Sequence, residues 1–132
     1  MAKVYEFLAN GFEEIEGLAP VDILRRGGVD IKTVSVTGSE FVETSHGVTI
    51  KADLRFEDVE SFEDADMLMI PGGMPGSTDL NEHEGVRQAL IAQHRHPRRQ
   101  ESYLLSWFRT VFQCQHRIYR HPLPGRWQCD YR

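Results

Sequence analysis

The sequence predicts a doubly wound α/β domain, and three observations carry that prediction. Short apolar runs alternate with helix-patterned stretches along the first two thirds of the chain. One of the runs, Met67-Leu68-Met69-Ile70, is continuously apolar, which suits a strand covered on both faces of a parallel sheet. Two runs end in glycine-bearing loops, Asn10-Gly11 and Pro71-Gly72-Gly73, at the carboxyl ends of strands, where such folds place their ligands.

Taken in order, Lys3 to Leu8 reads as the first strand, closed by Asn10-Gly11. A helix follows. Glu13, Glu14 and Glu16 favour its N-terminus, Leu18, Val21 and Leu24 recur at three-residue steps, and Gly27-Gly28 stops it. Pro20 within it predicts a kink or a restart. Ile31 to Val36 is β-branched and alternating, hence a second strand. Phe41–Thr44 and Val48–Leu54 then flank Ser45-His46-Gly47 as a hairpin, with Val48, Ile50, Ala52 and Leu54 on one face. After the strand at Met67–Ile70 and its glycine loop, Glu84 to His94 reads as a helix with Val86, Leu90 and Ile91 on one side.

The 132 residues suffice for one domain, and the net charge of −5 conceals two compositions. Residues 1–94 hold 7 basic and 18 acidic side chains; residues 95–132 hold 8 Arg, no Lys and 2 acids. The second segment also has no Ala, one Gly (Gly125), both Trp and both Cys. The expected organisation is therefore an α/β domain over 1–94 and a basic tail over 95–132. No run of about 18 apolar residues and no signal-peptide pattern is present, so a cytoplasmic protein without a membrane span is expected. Two cysteines cannot form a disulfide framework.

Two features could carry chemistry. At Gly72 and Gly73 the absence of Cβ atoms lets backbone amides approach a ligand and stabilise an oxyanion; the alternative is a plain strand-to-helix turn. Glu16 lies one helical turn past the first loop and points toward the same sheet edge. In a crevice such a carboxyl can keep its proton and donate a hydrogen bond; otherwise Glu13, Glu14 and Glu16 are solvated helix-start acids.

Three segments, Phe7-Leu8-Ala9-Asn10-Gly11-Phe12-Glu13-Glu14-Ile15-Glu16, Pro20 to Gly28, and Ile70-Pro71-Gly72-Gly73-Met74-Pro75-Gly76, resemble in order and spacing the amino-terminal half of the ThiJ/PfpI family, which includes the Parkinson-disease protein deglycase. The resemblance implies a flavodoxin-like doubly wound, mostly parallel sheet, a homodimer, and a reactive cysteine on a strand-to-helix elbow. It also implies that the carboxyl at Glu16 holds that cysteine as a thiolate, while amides at Gly72 and Gly73 face the same site. The implied substrates are small 2-oxoaldehydes or glycated proteins and nucleotides. Chaperone-like, peptidase and thiamine (thiazole monophosphate) roles are further attributions within the family.

The resemblance stops near residue 94, so the expected fold is truncated and followed by an atypical tail. Helix, connection and strand lengths place the elbow near positions 100–106, where Gln100-Glu101-Ser102-Tyr103-Leu104-Leu105-Ser106 has no cysteine. Cys114 is a poor substitute, because Gln115-His116-Arg117 after it is too bulky for a tight turn. The spacing of Cys114, His116, His121 and Cys129 fits no common zinc pattern, so neither metal nor cofactor is expected. The stripe Leu104, Leu105, Phe108, Val111, Phe112 reads as an improvised core helix rather than a membrane- or nucleic-acid-docking face. A reading-frame shift after about His94 would account for the abrupt change in composition. The expected outcome is a chain with a recognisable half-site and little or no activity; the alternative is a non-catalytic, chaperone-like or dimerising module whose Arg-rich tail binds an acidic partner.

Overall fold

The computed structural model describes residues 1–95, together with the backbone of two short strands at 118–120 and 127–129. Four parallel strands form the main sheet. They are β1 (Lys3–Leu8), β2 (Asp30–Ser35), β5 (Leu54–Arg55) and β6 (Met67–Met69), in the spatial order β5-β2-β1-β6. The chain thus builds leftward from β1 to β2 and then returns to the right of β1 with β6. The order reverses between β1 and β6, so the loops leaving these two strands lie side by side at the switch point.

Helices cover both faces. On one, α1 (Glu14–Arg26) lays Val21 and Leu24 against Val4, Ile31 and Met69. On the other, α2 (Gly76–Glu82) and α3 (Glu84–Arg95) contribute Leu80, Val86, Ala89 and Leu90 to a core with Tyr5, Phe7, Val34 and Leu68. Phe62 fills the centre of that core and meets the rings of Tyr5, Phe7 and Phe56 at centroid distances of 5.1, 5.0 and 5.2 Å. The doubly wound arrangement is therefore the one expected from the sequence.

Three details differ from expectation. The helix runs unbroken through Pro20 from Glu14 to Arg26. One lost backbone hydrogen bond is tolerated there because the Glu13 cap holds one end of the helix and its Val21–Leu24 face is packed. Second, the arm Val48–Leu54 is not one strand. Thr49–Lys51 (β4) pairs antiparallel with Phe41–Glu43 (β3), Val42 opposite Ile50, and the chain then breaks so that Leu54 joins β2 in parallel beside Val34. The expected single face is divided accordingly: Ile50 and Ala52 pack with Leu8 and Phe12, Leu54 reaches the opposite core, and Val48 is half exposed. Asp53 causes the break. Its carboxylate accepts hydrogen bonds from the Thr33 amide and hydroxyl at 2.8 and 2.9 Å and pairs with Arg25 at 2.6 Å, which pins the chain onto β2. Third, Gly76–Glu82 forms a helix that its Gly-Ser-Thr-Asp composition did not announce. His83 separates it from α3, accepting the Val86 amide on Nδ1 at 3.2 Å.

The remaining strands, β7 (Ile118–Arg120) and β8 (Trp127–Cys129), pair antiparallel with each other. The side chains of Cys114, His116, His121 and Cys129 and the stripe from Leu104 to Phe112 lie outside the described residues. No helix among the described residues is long and apolar enough to cross a membrane.

Candidate functional site: the β1 and β6 loops

The switch point brings Glu16 and Gly72 into contact. Glu13 caps α1, its Oε2 accepting the Glu16 amide at 2.8 Å, and this orients the first helical turn toward β6. Glu16 Oε2 then accepts the Gly72 amide at 2.7 Å, while the Glu13 amide donates to the Gly72 carbonyl at 2.8 Å. Both backbone groups of Gly72 are thereby held by the start of α1.

Gly73 completes the junction with a φ of 101°, in the left-handed region. A Cβ there would overlap the backbone of Glu13 and stand 2.7 Å from both the Gly11 oxygen and the Phe12 carbonyl carbon. The loops are interlocked at backbone level, so only glycine fits. The Gly73 carbonyl accepts the Ser77 amide at 2.8 Å and starts α2. Among the described residues, the Gly73 amide has no hydrogen-bond partner.

A support that sequence reasoning missed lies behind the first loop. The Gly11 amide donates to the Glu43 carbonyl at 2.8 Å, Asn10 Oδ1 accepts the Glu43 amide at 3.0 Å, and the Ser45 amide reaches the Phe12 carbonyl at 2.8 Å. The β3–β4 hairpin thus buttresses the site loop. Its cross-contacts join residues more than 30 positions apart, which no local pattern reveals.

Two expectations about the site change in detail. Glu16 is exposed rather than sunk in a crevice, and it acts as an acceptor toward the Gly72 amide. That amide is consequently engaged by Glu16, and of the two glycines it is Gly73 whose N–H is unpaired among the described residues. Beside the site, Glu14 accepts from Ser45 Oγ at 3.1 Å and pairs with His46 Nδ1 at 2.9 Å. The hydrogen bond with His46 lowers the Glu14 carboxyl below its ordinary range, and its counterpart raises His46. Glu13, Glu14 and His46 hold oxygen and nitrogen atoms within 4.8 Å of one another, but these atoms serve the cap and the ion pair just described. A groove of about 550 Å³ opens elsewhere, between Phe56–Glu63 and α3, and contains none of Glu16, Gly72 and Gly73.

A parallel sheet wound on both faces, with a carboxylate clamped to a glycine loop at its switch point, defines a flavodoxin-like α/β fold. The chain belongs to the DJ-1/PfpI family, which it matches over residues 2–99. It is 36% identical over 86 residues to the Parkinson disease protein 7 homolog of Danio rerio, covering 65% of this chain and 46% of that one. It is 31% identical over 103 residues to the glutathione-independent glyoxalase DJ-1 of Schizosaccharomyces pombe, covering 74% of this chain and 54% of the relative. The structure of oxidized Toxoplasma gondii DJ-1 superposes with a TM-score of 0.66 at 35% identity, over 70% of this chain and 50% of that one. The chain spans about half the length of these relatives.

Proposed function

We propose that this chain carries the acid and amide half of a DJ-1/PfpI site whose substrates are 2-oxoaldehydes or glycated products, and that it is catalytically silent for want of the nucleophile. The observation that carries this reading is the Glu16–Gly72–Gly73 junction in a chain whose only cysteines are Cys114 and Cys129. In a complete site of this design a thiolate attacks the substrate carbonyl, the unpaired Gly73 amide faces the developing oxyanion, and Glu16 takes or supplies the proton. What supports the reading is the hydrogen bond from the Gly72 amide to Glu16 and the absence of a thiol from residues 1–113. The test is consumption of methylglyoxal by the purified full chain. No turnover above buffer is expected; turnover that disappears in Glu16→Ala or Cys114→Ser would overturn the reading.

The non-catalytic role that fits is a homodimeric module in the cytoplasm. What supports it is α1, where Ile15 and Ile23 are 71% and 65% exposed and stand about 80° apart around the helix axis. Sedimentation of the full chain is expected to show a dimer that Ile23→Glu converts to monomer. A wild-type monomer at micromolar concentration would contradict it.

A further inference from the structure

One titratable group takes no part in the site above. Glu6 lies on β1, one of the two inner strands of the sheet, and is only 1% exposed. Among the described residues, neither of its carboxyl oxygens has a hydrogen-bond partner. Alternation along β1 puts Glu6 on the same face as Val4 and Leu8, which belong to the apolar clusters under α1. Its cross-strand neighbours are Thr33 on β2 and Met69 on β6.

Among the described residues, the charged groups of the elements packed around Glu6 are engaged elsewhere. On α1, Arg25 is paired with Asp53, Arg26 with Asp22 at 3.0 Å, Glu14 with His46, and Glu16 with the Gly72 amide. On β2, Asp30 pairs with Lys32 at 3.4 Å, and the Thr33 hydroxyl is committed to Asp53. β6 carries no ionisable side chain. An ionised carboxylate in such a place would be buried without a counter-charge or a donor, which costs several kcal/mol, whereas the protonated acid costs far less.

We propose that Glu6 is a proton-dependent latch: α1 seats on the sheet with the Glu6 carboxyl protonated, and ionisation of that carboxyl favours a state in which α1 has lifted away. Because α1 carries Glu16, the latch also governs the Glu16–Gly72 contact. Burial alone pushes the Glu6 carboxyl up from 4.5 to about 8, so the seated state holds its proton through neutral pH. An open state releases that proton near 4.5. Between these two values each rise of one pH unit therefore favours opening by up to about tenfold, and above the upper value the effect levels off.

The test is amide hydrogen exchange of the full chain from pH 5 to 9, corrected for the intrinsic pH dependence of exchange, in wild type, Glu6→Gln and Glu6→Leu. In wild type, the opening equilibrium reported by α1 amides is expected to rise up to about tenfold per pH unit until about pH 8. In both variants it is expected to be flat. Glu6→Leu leaves no buried polar group and serves even if Glu6→Gln fails to fold. An infrared band of a protonated carboxylic acid at neutral pH, lost in Glu6→Leu, is the direct signature. A wild-type slope retained in Glu6→Leu, the absence of that band, or unprotected α1 amides already at pH 5 would each overturn the proposal.

Discussion

Glu16 and Gly72 are 56 positions apart in sequence and meet through one hydrogen bond. Because the Glu16 side chain is exposed, that bond is worth less than a buried one to a charged group. Glu16→Ala should cost about 1 kcal/mol by urea denaturation, and Glu16→Gln, which retains an acceptor, less. Gly73→Ala is a different matter. The left-handed backbone alone imposes about 1–3 kcal/mol of strain, and the overlap with the Glu13 backbone cannot be relieved by rotating a side chain. A loss at the upper end of that range, or failure to fold, is the expected outcome; an unchanged melting temperature would contradict the interlocked geometry. At this scale the sequence was informative about identity and less so about state. Glycines and a carboxylate near two strand ends were visible in the order of residues, while their pairing depends on the parallel adjacency of β1 and β6. Which amide stays unpaired follows from Glu13 capping α1, a matter of one helical turn's orientation.

At the scale of elements, legibility followed how local the cause is. Strands β1 and β2 and helix α1 were readable because apolar spacing and the terminal glycines of Gly27-Gly28 act within a few residues. Helix α2 was not, since Gly-Ser-Thr-Asp has weak intrinsic preference and its stability comes from burying Leu80 and Ser77. The split of the Val48–Leu54 arm depends on Asp53, whose partners Thr33 and Arg25 lie on other elements. Asp53 also gives this scale its prediction. Partial burial pulls its carboxyl upward, but the two Thr33 hydrogen bonds and the Arg25 charge outweigh that and leave it lowered overall. The ionised group therefore contributes stability above the unfolded value of 3.8, and this contribution is lost as pH falls through the lower folded value. Asp53→Asn should reduce stability at pH 7 and flatten the acid limb of the stability profile, with the difference from wild type shrinking toward pH 2. An Asp53→Asn profile parallel to wild type at all pH values would contradict the role given to this carboxylate.

At the scale of the whole molecule, the net charge of −5 is the sum of an acidic α/β part and a basic segment that share little composition. The family match covers residues 2–99, most of which is the acidic part. Within that span the molecule has a complete switch point: four parallel strands, helices on both faces and a glycine loop clamped by a helix-borne carboxylate. The Glu16–Gly72–Gly73 junction forms in the chain as it stands. Its most direct test is the amide resonance of Gly72 in the full-length protein, compared between wild type and Glu16→Ala. The expected result is a slowly exchanging, downfield-shifted Gly72 amide in wild type. In the variant it should lose both properties while the amides of β1 and β2 keep their protection. A Gly72 amide that is unprotected in wild type, or unchanged by Glu16→Ala, would contradict the account.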